Sequence, residues 1–407
     1  MSLSATQLAS RTGPARHHGL DWLRIGAFLL LILYHLCMLF VTGGWLVKLD
    51  HIEWLAFPMM FVQPWRLGLL FIVAGFASRA LLGKLGDLRT FANERTRRLI
   101  LPLLFAMTLI IPPQSWVTLR FNHGYPEGFV HFLTHDALRF GAYDGVTLPG
   151  WEHLWFVFYL WAYTMLLALG LLTLPAAVKA RLAAAFEQLA TGARLLWVPL
   201  LYLVPARIAI TFTTGESHGL FNDWLSDAIH LPCFLFGFAL AGSGRLWPAI
   251  ARLWKPALGL ALASYAVLVT VELLYPADAH PPHALMALDR AAMAAMLWNM
   301  AIVLLQLAQT ALNHDHPWRA RLSEAVFPFY IVHQTIIVVV GWWLVPLALP
   351  AFFAFAIVFA ATVAGCLLFY RIGHDITPLR PLVGLKEAAS PSPSRAGRAC
   401  APPAGQP

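Results

Sequence analysis

Long apolar segments alternate with short polar ones from residue 20 to residue 371 of this chain. Most of the apolar runs are about 20 residues long, which is the length that an α-helix needs to cross the hydrocarbon core of a bilayer. The pattern predicts an all-α integral membrane protein, a bundle of about ten transmembrane helices. The predicted spans cover residues 20–42, 61–82, 98–119, 151–174, 195–213, 224–243, 256–275, 288–312, 325–346 and 350–371.

The basic residues predict how these spans are oriented. Twenty of the 28 Lys and Arg residues fall in the amino-terminal segment, the tail and the loops on the same side, whereas three fall in the opposite loops and five lie at or within spans. Basic residues collect on the cytoplasmic side of membrane proteins, so both termini are predicted to be cytoplasmic. Because the charge follows this alternation, we assign the net charge of +8 to membrane topology and expect no nucleic-acid partner.

The predicted organisation has three parts. Residues 1–19 form a cytoplasmic segment without the features of a cleavable signal peptide, and residues 20–372 form the membrane domain. Residues 373–407 form a cytoplasmic tail that is predicted to be disordered from about residue 387, because it is rich in Ala, Ser, Pro and Gly. The four cysteines lack the spacing of a metal site, and no metal ion is expected. The sequence makes no prediction of the oligomeric state.

The first span carries two ionisable residues on one face. Arg24 and His35 are eleven residues apart, which brings them within roughly 20° of each other around the helix, with a rise of roughly 16 Å between them. Ionisable residues inside a membrane are costly and point to function. His35 is therefore a candidate general base for a hydroxyl group, and Asp21, one turn before Arg24, can pair with that arginine. The alternative is that His35 only bonds a neighbouring helix.

Polar groups at the ends of other spans suggest binding sites. Arg95 and Arg98, one turn apart at the predicted cytoplasmic start of the third span, can clamp a phosphorylated ligand or can simply anchor the span. Glu152 and His153 open the fourth span on the predicted outer side. There they can bind or activate a polar substrate, or they can belong to an interfacial aromatic belt.

Further ionisable residues lie inside later spans. His333, about eight residues into the ninth span, is either a second imidazole that faces a cavity or a core histidine that bonds its neighbours. Arg66, Arg207, Glu272 and Arg290 lie near the predicted outer ends of their spans. Some of these four side chains are expected to line an outer polar cavity, and others to extend to the surface.

Taken together, these motifs resemble those of a known family. The spacing of Arg24 and His35 and the Arg-x-x-Arg motif of Arg95 and Arg98 are similar to those of the membrane-bound acyltransferase-3 family. Three further segments carry the likeness: RLGLLFIVAGFASRALL, HLWFVFYL and FPFYIVHQTIIVVVGWW. It extends from about residue 18 to residue 372 and is greatest to the branch that includes the protein that succinylates periplasmic glucans. In one departure, Ala74 stands where the family has serine.

The resemblance implies an enzyme of the bacterial inner membrane. Such an enzyme transfers an acyl group, acetyl or succinyl, from cytoplasmic acyl-CoA to a hydroxyl of an extracytoplasmic carbohydrate or related acceptor. Acyl-CoA is then a donor substrate, and no permanently bound cofactor is expected. By the same resemblance, His35 is the essential histidine, Arg24 is its motif partner, and Arg95 and Arg98 are associated with the donor.

On this interpretation, a passage for the pantetheine arm connects the cytoplasmic arginines to His35. The acceptor approaches from the outer side, near Glu152, His153 and Arg66. The main alternative is a proton- or anion-coupled transporter that uses His35, Glu272 and the intramembrane arginines, and a nonenzymatic assembly or sensor subunit is a third hypothesis. The shortage of membrane-embedded carboxylates and of visible repeats argues against transport.

Overall fold

The computed structural model of the protein describes residues 18–41, 45–143, 145–214, 219, 222–276, 279 and 281–387. The segment before residue 18, predicted to be cytoplasmic, and the tail after residue 387, predicted to be disordered, lie outside these residues. The described part holds eight helices that are long and apolar enough to cross a membrane, or nine if one bent pair forms a single crossing. The all-α membrane architecture is thus confirmed.

The helices follow one another with short connections. Their bounds are α1 His18–Cys37, α2 Ala56–Leu85, α3 Leu88–Phe105, α4 Pro112–His123, α5 Trp155–Thr173, α6 Ala176–Gln188, α7 Leu200–Thr213, α8 Trp224–Leu240, α9 Leu246–Leu274, α10 His283–Thr310, α11 Pro317–Leu344 and α12 Ala351–Asp375. Shorter helical turns lie at Glu53–Leu55, Ala106–Ile110, Phe129–His131, Phe132–Asp136, Glu152–Leu154, Arg194–Trp197, Val345–Leu347 and Thr377–Leu379. The strands β1 Gly141–Tyr143 and β2 Val146–Leu148 pair antiparallel.

Two predicted spans differ from the structure. The predicted span at residues 98–119 is broken, because α4 begins at a 48° bend from the helix before it. Pro112 and Pro113 stand at this bend, and proline lacks the N–H that would continue the helical hydrogen bonds. The predicted span at residues 224–243 falls on α8, which has only 17 residues. The tenth crossing therefore stays a prediction.

Two glycines bring α2 and α8 into close contact. A Cβ atom on Gly75 would lie 1.9 Å from the Phe234 carbonyl oxygen, and one on Gly237 would lie 1.9 Å from the Ile72 carbonyl oxygen. Small residues allow membrane helices to approach this closely, and van der Waals packing then holds them together. Gly75 therefore fixes α2 in the bundle. The same helix carries Arg66, which lies near the histidines described below, and Ser78, which contacts one of the arginines.

The helices that carry the predicted site residues are packed against one another. The helix α1 packs against α2, α10 and α11, while α3 packs against α5. In the most apolar stretch of each helix, 67% of α10 and 61% of α11 are buried, whereas only 22% of α9 and 22% of α12 are buried. The core therefore lies around α10 and α11, with α9 and α12 at the periphery. This arrangement places the histidine of α1 against the centre of the bundle.

Candidate active site

Three histidines from three parts of the chain meet at one end of α1. His35 Nδ1 lies 2.9 Å from His333 Nε2, and the two rings are nearly parallel, at 10°, with centroids 5.1 Å apart. The His153 ring lies 4.8 Å from the His333 ring and 6.2 Å from the His35 ring. The structure thus brings together all three imidazoles that the sequence singled out. Of the two alternatives for His333, the structure shows the core histidine that bonds its neighbours, because its side chain is fully buried and does not line the cavity described below. His35 both bonds His333 and lines that cavity.

A single backbone carbonyl holds two of the rings. The Tyr330 oxygen lies 2.8 Å from His153 Nε2 and 2.8 Å from His333 Nδ1. In return, the Tyr330 hydroxyl donates a hydrogen bond to the His153 carbonyl oxygen. Because Tyr330 and His333 are fully or almost fully buried, these bonds form away from water and fix both rings. Nothing in the local sequence indicated this role of Tyr330.

The histidines adjoin a cavity of about 1020 Å³. His35 and His153 line it, together with Glu152, Arg66 and Gln334. Most of the remaining wall of the cavity is apolar. It is formed by α3 and the turn after it, by α5, and by the hairpin of β1 and β2 with the residue before it: Ile100, Leu103, Leu104, Met107, Trp155, Phe156, Phe158, Phe140, Val146 and Leu148. The hairpin lies in the connection between the predicted spans 98–119 and 151–174, which the predicted orientation puts on the outer side.

Two charged side chains enter this mostly apolar cavity. The Arg66 guanidinium is 6% exposed and lies 3.7 Å from the centroid of the Tyr34 ring. A cation over an aromatic face in a desolvated site is stabilised by about 2 kcal/mol. Glu152 adopts φ 46°, a conformation that costs a non-glycine residue free energy and is concentrated at functional sites. Its carboxylate lies beside Gln114 and Ser115 of α4.

The opposite end of α1 carries the arginines, and there one predicted pairing is wrong. Arg24 Nη2 lies 3.2 Å from the Ser323 carbonyl oxygen and also donates to the Ser323 hydroxyl. Asp21 Oδ2 instead lies 2.5 Å from Arg319 Nη1, and the same guanidinium contacts Asp315. Asp21 therefore forms its direct ion pair with Arg319 and joins α1 to α11. The reason is tertiary: α11 places a buried guanidinium beside Asp21.

Arg95 and Arg98 have different surroundings. Arg95 Nη2 donates to the Ser78 hydroxyl over 2.6 Å, and Ser78 in turn bonds the Ala74 carbonyl oxygen over 2.8 Å. Arg98 is 40% exposed, and its Nε lies 4.0 Å from Glu94 Oε1. The buried Nε atoms of Arg24 and Arg95 have no hydrogen-bond partner among the described residues. The predicted clamp therefore has one arginine fixed inside the bundle and one at its edge.

The cavity that His35 lines does not extend to the arginines in this structure. Arg24, Arg95 and Arg98 do not line the histidine cavity. The three rings that we call the aromatic barrier stand on the route: Phe28, Phe156 and Tyr330. The Phe28 ring centroid lies 5.3 Å from that of Tyr330 and 6.2 Å from that of Phe156, and those two are 6.0 Å apart. Phe28 follows Arg24 by one turn of α1, which explains its position.

Comparison with known proteins decides the family. The sequence model of an acyltransferase domain, that of the acyltransferase-3 family, matches residues 17–371. The chain belongs to the acyltransferase-3 family. It is therefore a multi-pass membrane protein and an acyltransferase. Glucans biosynthesis protein C of Salmonella paratyphi A is 25% identical over 350 residues, which cover 81% of this chain and 85% of that protein. The proteins of the same name from Salmonella agona and Salmonella heidelberg are 25% and 24% identical over the same shares. No solved structure matches the chain.

The departure from the acyltransferase-3 motif at Ala74 has a structural counterpart. The missing hydroxyl would stand at position 74, and Ser78 supplies one four residues later, on the same face of α2. That hydroxyl is the partner of Arg95. Sequence reasoning overlooked Ser78, although the one-turn spacing from the altered position was a signal that could have found it.

The other charged residues of the predicted outer ends lie apart from the acyltransferase site. Glu272 and Arg290 line a separate cavity of about 270 Å³, where Arg290 Nη1 lies 2.7 Å from Asp289 Oδ2. Arg207 is buried near Met293. Neither Glu272 nor Arg290 lines the cavity of His35. Among the described residues, His35 and Glu272, which the transporter hypothesis groups together, therefore line two separate cavities.

Three adjacent histidines raise the question of a metal ion. His153 Nε2 and His333 Nδ1 both face one carbonyl oxygen, and His333 Nε2 faces His35. Within the parts of the chain that the structure describes, no group of three His, Cys, Asp or Glu side chains has the arrangement of a metal site.

Proposed function

We propose that the protein is an inner-membrane O-acyltransferase that moves an acetyl or succinyl group from cytoplasmic acyl-CoA to a hydroxyl of an extracytoplasmic carbohydrate or related acceptor. The observation that carries this proposal is the division of α1. Its arginine end holds guanidinium groups with unused donors, and its histidine end adjoins a large cavity. An enzyme that joins a phosphorylated donor to an acceptor from the other side of a membrane needs both ends.

The arginine end suits the phosphates of coenzyme A. Buried donors without partners are rare in proteins, and those of Arg24 and Arg95 are available to a ligand. Guanidinium groups bind phosphate oxygens through short, charge-assisted hydrogen bonds. Arg98, at the partly exposed edge, would meet the phosphates first. The bulky nucleotide would then stay in the cytoplasm while the pantetheine arm extends along α1.

The aromatic barrier has a part in this proposal. The arm must displace Phe28 or its neighbours before the thioester reaches His35. A barrier that opens only around a bound donor would keep water of the outer cavity away from the arginine end. It would therefore suppress hydrolysis of the thioester and couple donor consumption to transfer.

The histidine cavity suits a sugar. Cavities of about 300–1,000 Å³ hold ligands of drug size, so a volume of about 1020 Å³ leaves room for a saccharide unit and the acyl group. Glu152, Arg66 and Gln334 offer polar contacts, and Trp45 stacks near His35 with ring centroids 6.4 Å apart. The similar proteins are named for glucan biosynthesis, which supports a carbohydrate acceptor.

The reaction is a direct acyl transfer. His35 takes the proton of the acceptor hydroxyl while the oxygen attacks the thioester carbon. The carbon–sulfur bond then breaks, the electron pair stays on sulfur, and His35 returns its proton to give free coenzyme A and an ester. A positioned general base of this kind contributes roughly 100- to 10,000-fold to a rate.

Purified protein in nanodiscs tests the proposal. Acetyl- or succinyl-CoA with a labelled acyl group is supplied together with periplasmic glucan, and free thiol and labelled carbohydrate are measured. We expect both products in equal amounts. Flux of a solute across proteoliposomes without thiol release would overturn the proposal in favour of transport. Mass spectrometry of envelope carbohydrates from cells with and without the protein then gives the acyl mass and the acceptor together.

A further inference from the structure

The bonds around His333 define where its proton lies. A carbonyl oxygen only accepts, so the 2.8 Å contact between His333 Nδ1 and the Tyr330 oxygen requires hydrogen on Nδ1. A buried imidazolium without a counter-ion is costly, and His333 is fully buried with no carboxylate bonded to it in the described residues. His333 is therefore neutral, and its Nε2 carries a lone pair.

The same reasoning carries over to His35. His35 Nδ1 lies 2.9 Å from His333 Nε2, which can only accept. Nδ1 of His35 therefore holds the hydrogen, and the lone pair of its neutral ring is on Nε2. The hydrogen-bond partners thus assign both tautomers, in a chain that begins at a backbone carbonyl and ends at the cavity-lining ring.

We propose that His333 is a positioning residue for His35: it holds the base in the Nδ1–H tautomer and stabilises the imidazolium that forms when Nε2 takes the acceptor's proton. The inference rests on the proposed function of His35. His333 does the work that a carboxylate does in a Ser-His-Asp triad, where the partner fixes the tautomer and orientation of the base. A neutral imidazole suits a membrane interior better than a carboxylate, because it adds no buried charge in the resting state.

The alternative is that His333 only packs. Its ring lies beside that of His35, nearly perpendicular to that of His153 and close to that of Tyr330, so removal of the ring also leaves a hole. Two substitutions separate packing from hydrogen bonding. His333→Leu fills most of the space but accepts no hydrogen bond, whereas the amide oxygen of His333→Gln can reach the position of Nε2 and accept one.

The test measures kcat and donor KM for both variants in nanodiscs. We expect His333→Leu to lower kcat about 100-fold and His333→Gln to lower it less than about tenfold, with donor KM unchanged in both. His374→Leu, an exposed imidazole on α12, serves as the control and should leave kcat unchanged. Equal kcat in the Leu and Gln variants, at any level, would overturn the proposal.

A second measurement does not depend on activity. In protein labelled with ¹⁵N-histidine, the nitrogen shifts of His35, assigned by comparison with His35→Ala, report its tautomer. We expect Nδ1–H in the native protein and in His333→Gln, and a shift toward Nε2–H in His333→Leu. Nε2–H in the native protein refutes the inference even if a variant fails to fold. Full activity of His35→Ala would instead refute the base itself, so the two failures are distinguishable.

Discussion

The two ends of α1 are built in opposite ways. At the histidine end, rings from α1 and α11 bond each other and a backbone carbonyl, so each partner holds the other in place. At the arginine end, Arg24 and Arg95 each use part of a guanidinium on a serine, and a buried donor of each remains unused. Groups that react need a fixed geometry, whereas groups that hold a ligand need free donors. Arg66, in the cavity at the histidine end, also has buried donors without a partner among the described residues. Along α1 itself, the contrast is between an imidazole held by its neighbours and an arginine with an unused donor, and we propose that it separates chemistry from binding.

The substitution with the largest expected effect removes the imidazole of His35, the proposed general base. We expect His35→Ala to lower kcat about 1,000-fold with little change in donor KM, because a general base acts in the transition state rather than in donor binding. Steady-state thiol release in nanodiscs measures both constants. His51→Ala, an exposed imidazole, is the control. A well-folded His35→Ala protein with native kcat would contradict the assignment of chemistry to the histidine end and of donor binding to the arginine end.

The next test addresses the arginine end. Hydrogen bonds to charged groups contribute about 1.5–3 kcal/mol, so we expect Arg95→Ala to raise donor KM by about 10- to 100-fold while kcat falls less. Arg97→Ala is a close control, because its guanidinium is 58% exposed and pairs with Glu387 on the surface. Binding of acyl-CoA by calorimetry checks the same difference. Equal effects at positions 95 and 97 would mean that the basic motif only anchors the span.

The aromatic barrier between the two ends can be opened by a single change. We expect Phe28→Ala to raise hydrolysis of acyl-CoA in the absence of acceptor several-fold, because water then reaches the thioester. Leu29→Ala provides the control, since Leu29 is the next residue of α1 and is 49% exposed on the outer surface of the bundle. Thiol release without acceptor measures the effect. Unchanged hydrolysis in Phe28→Ala would show that the rings do not separate the two regions.

The smallest expected effect concerns the partner of Arg95. Ser78 holds the Arg95 guanidinium but does not itself bind the donor in this proposal, so we expect Ser78→Ala to raise donor KM less than Arg95→Ala does, only about fivefold or about 1 kcal/mol. The Arg95→Ala and Ser78→Ala double variant should be no worse than Arg95→Ala alone, because the serine acts through the arginine. Donor KM for the three variants checks this, and additive losses would contradict it.

The spans and the candidate residues were readable from the sequence because they depend on local properties. Hydropathy over about 20 residues sets a membrane helix, and the helical repeat places Arg24 and His35 on one face. The bend before α4 was also readable from Pro112 and Pro113, although the predicted span ran through it. Glu152 and Arg66 were correctly placed beside the cavity that His35 lines.

What the sequence left open was which side chains meet. His35 and His333 are 298 residues apart, as are Asp21 and Arg319, and no local pattern connects either pair. The partner of Asp21, the shared carbonyl of Tyr330 and the aromatic barrier all follow from how α1, α5 and α11 pack. Hydropathy and helical periodicity are properties of one segment, so the sequence alone determined the membrane helices and the face of α1. Contacts between segments depend on close packing around α10 and α11, and only the tertiary structure decided them.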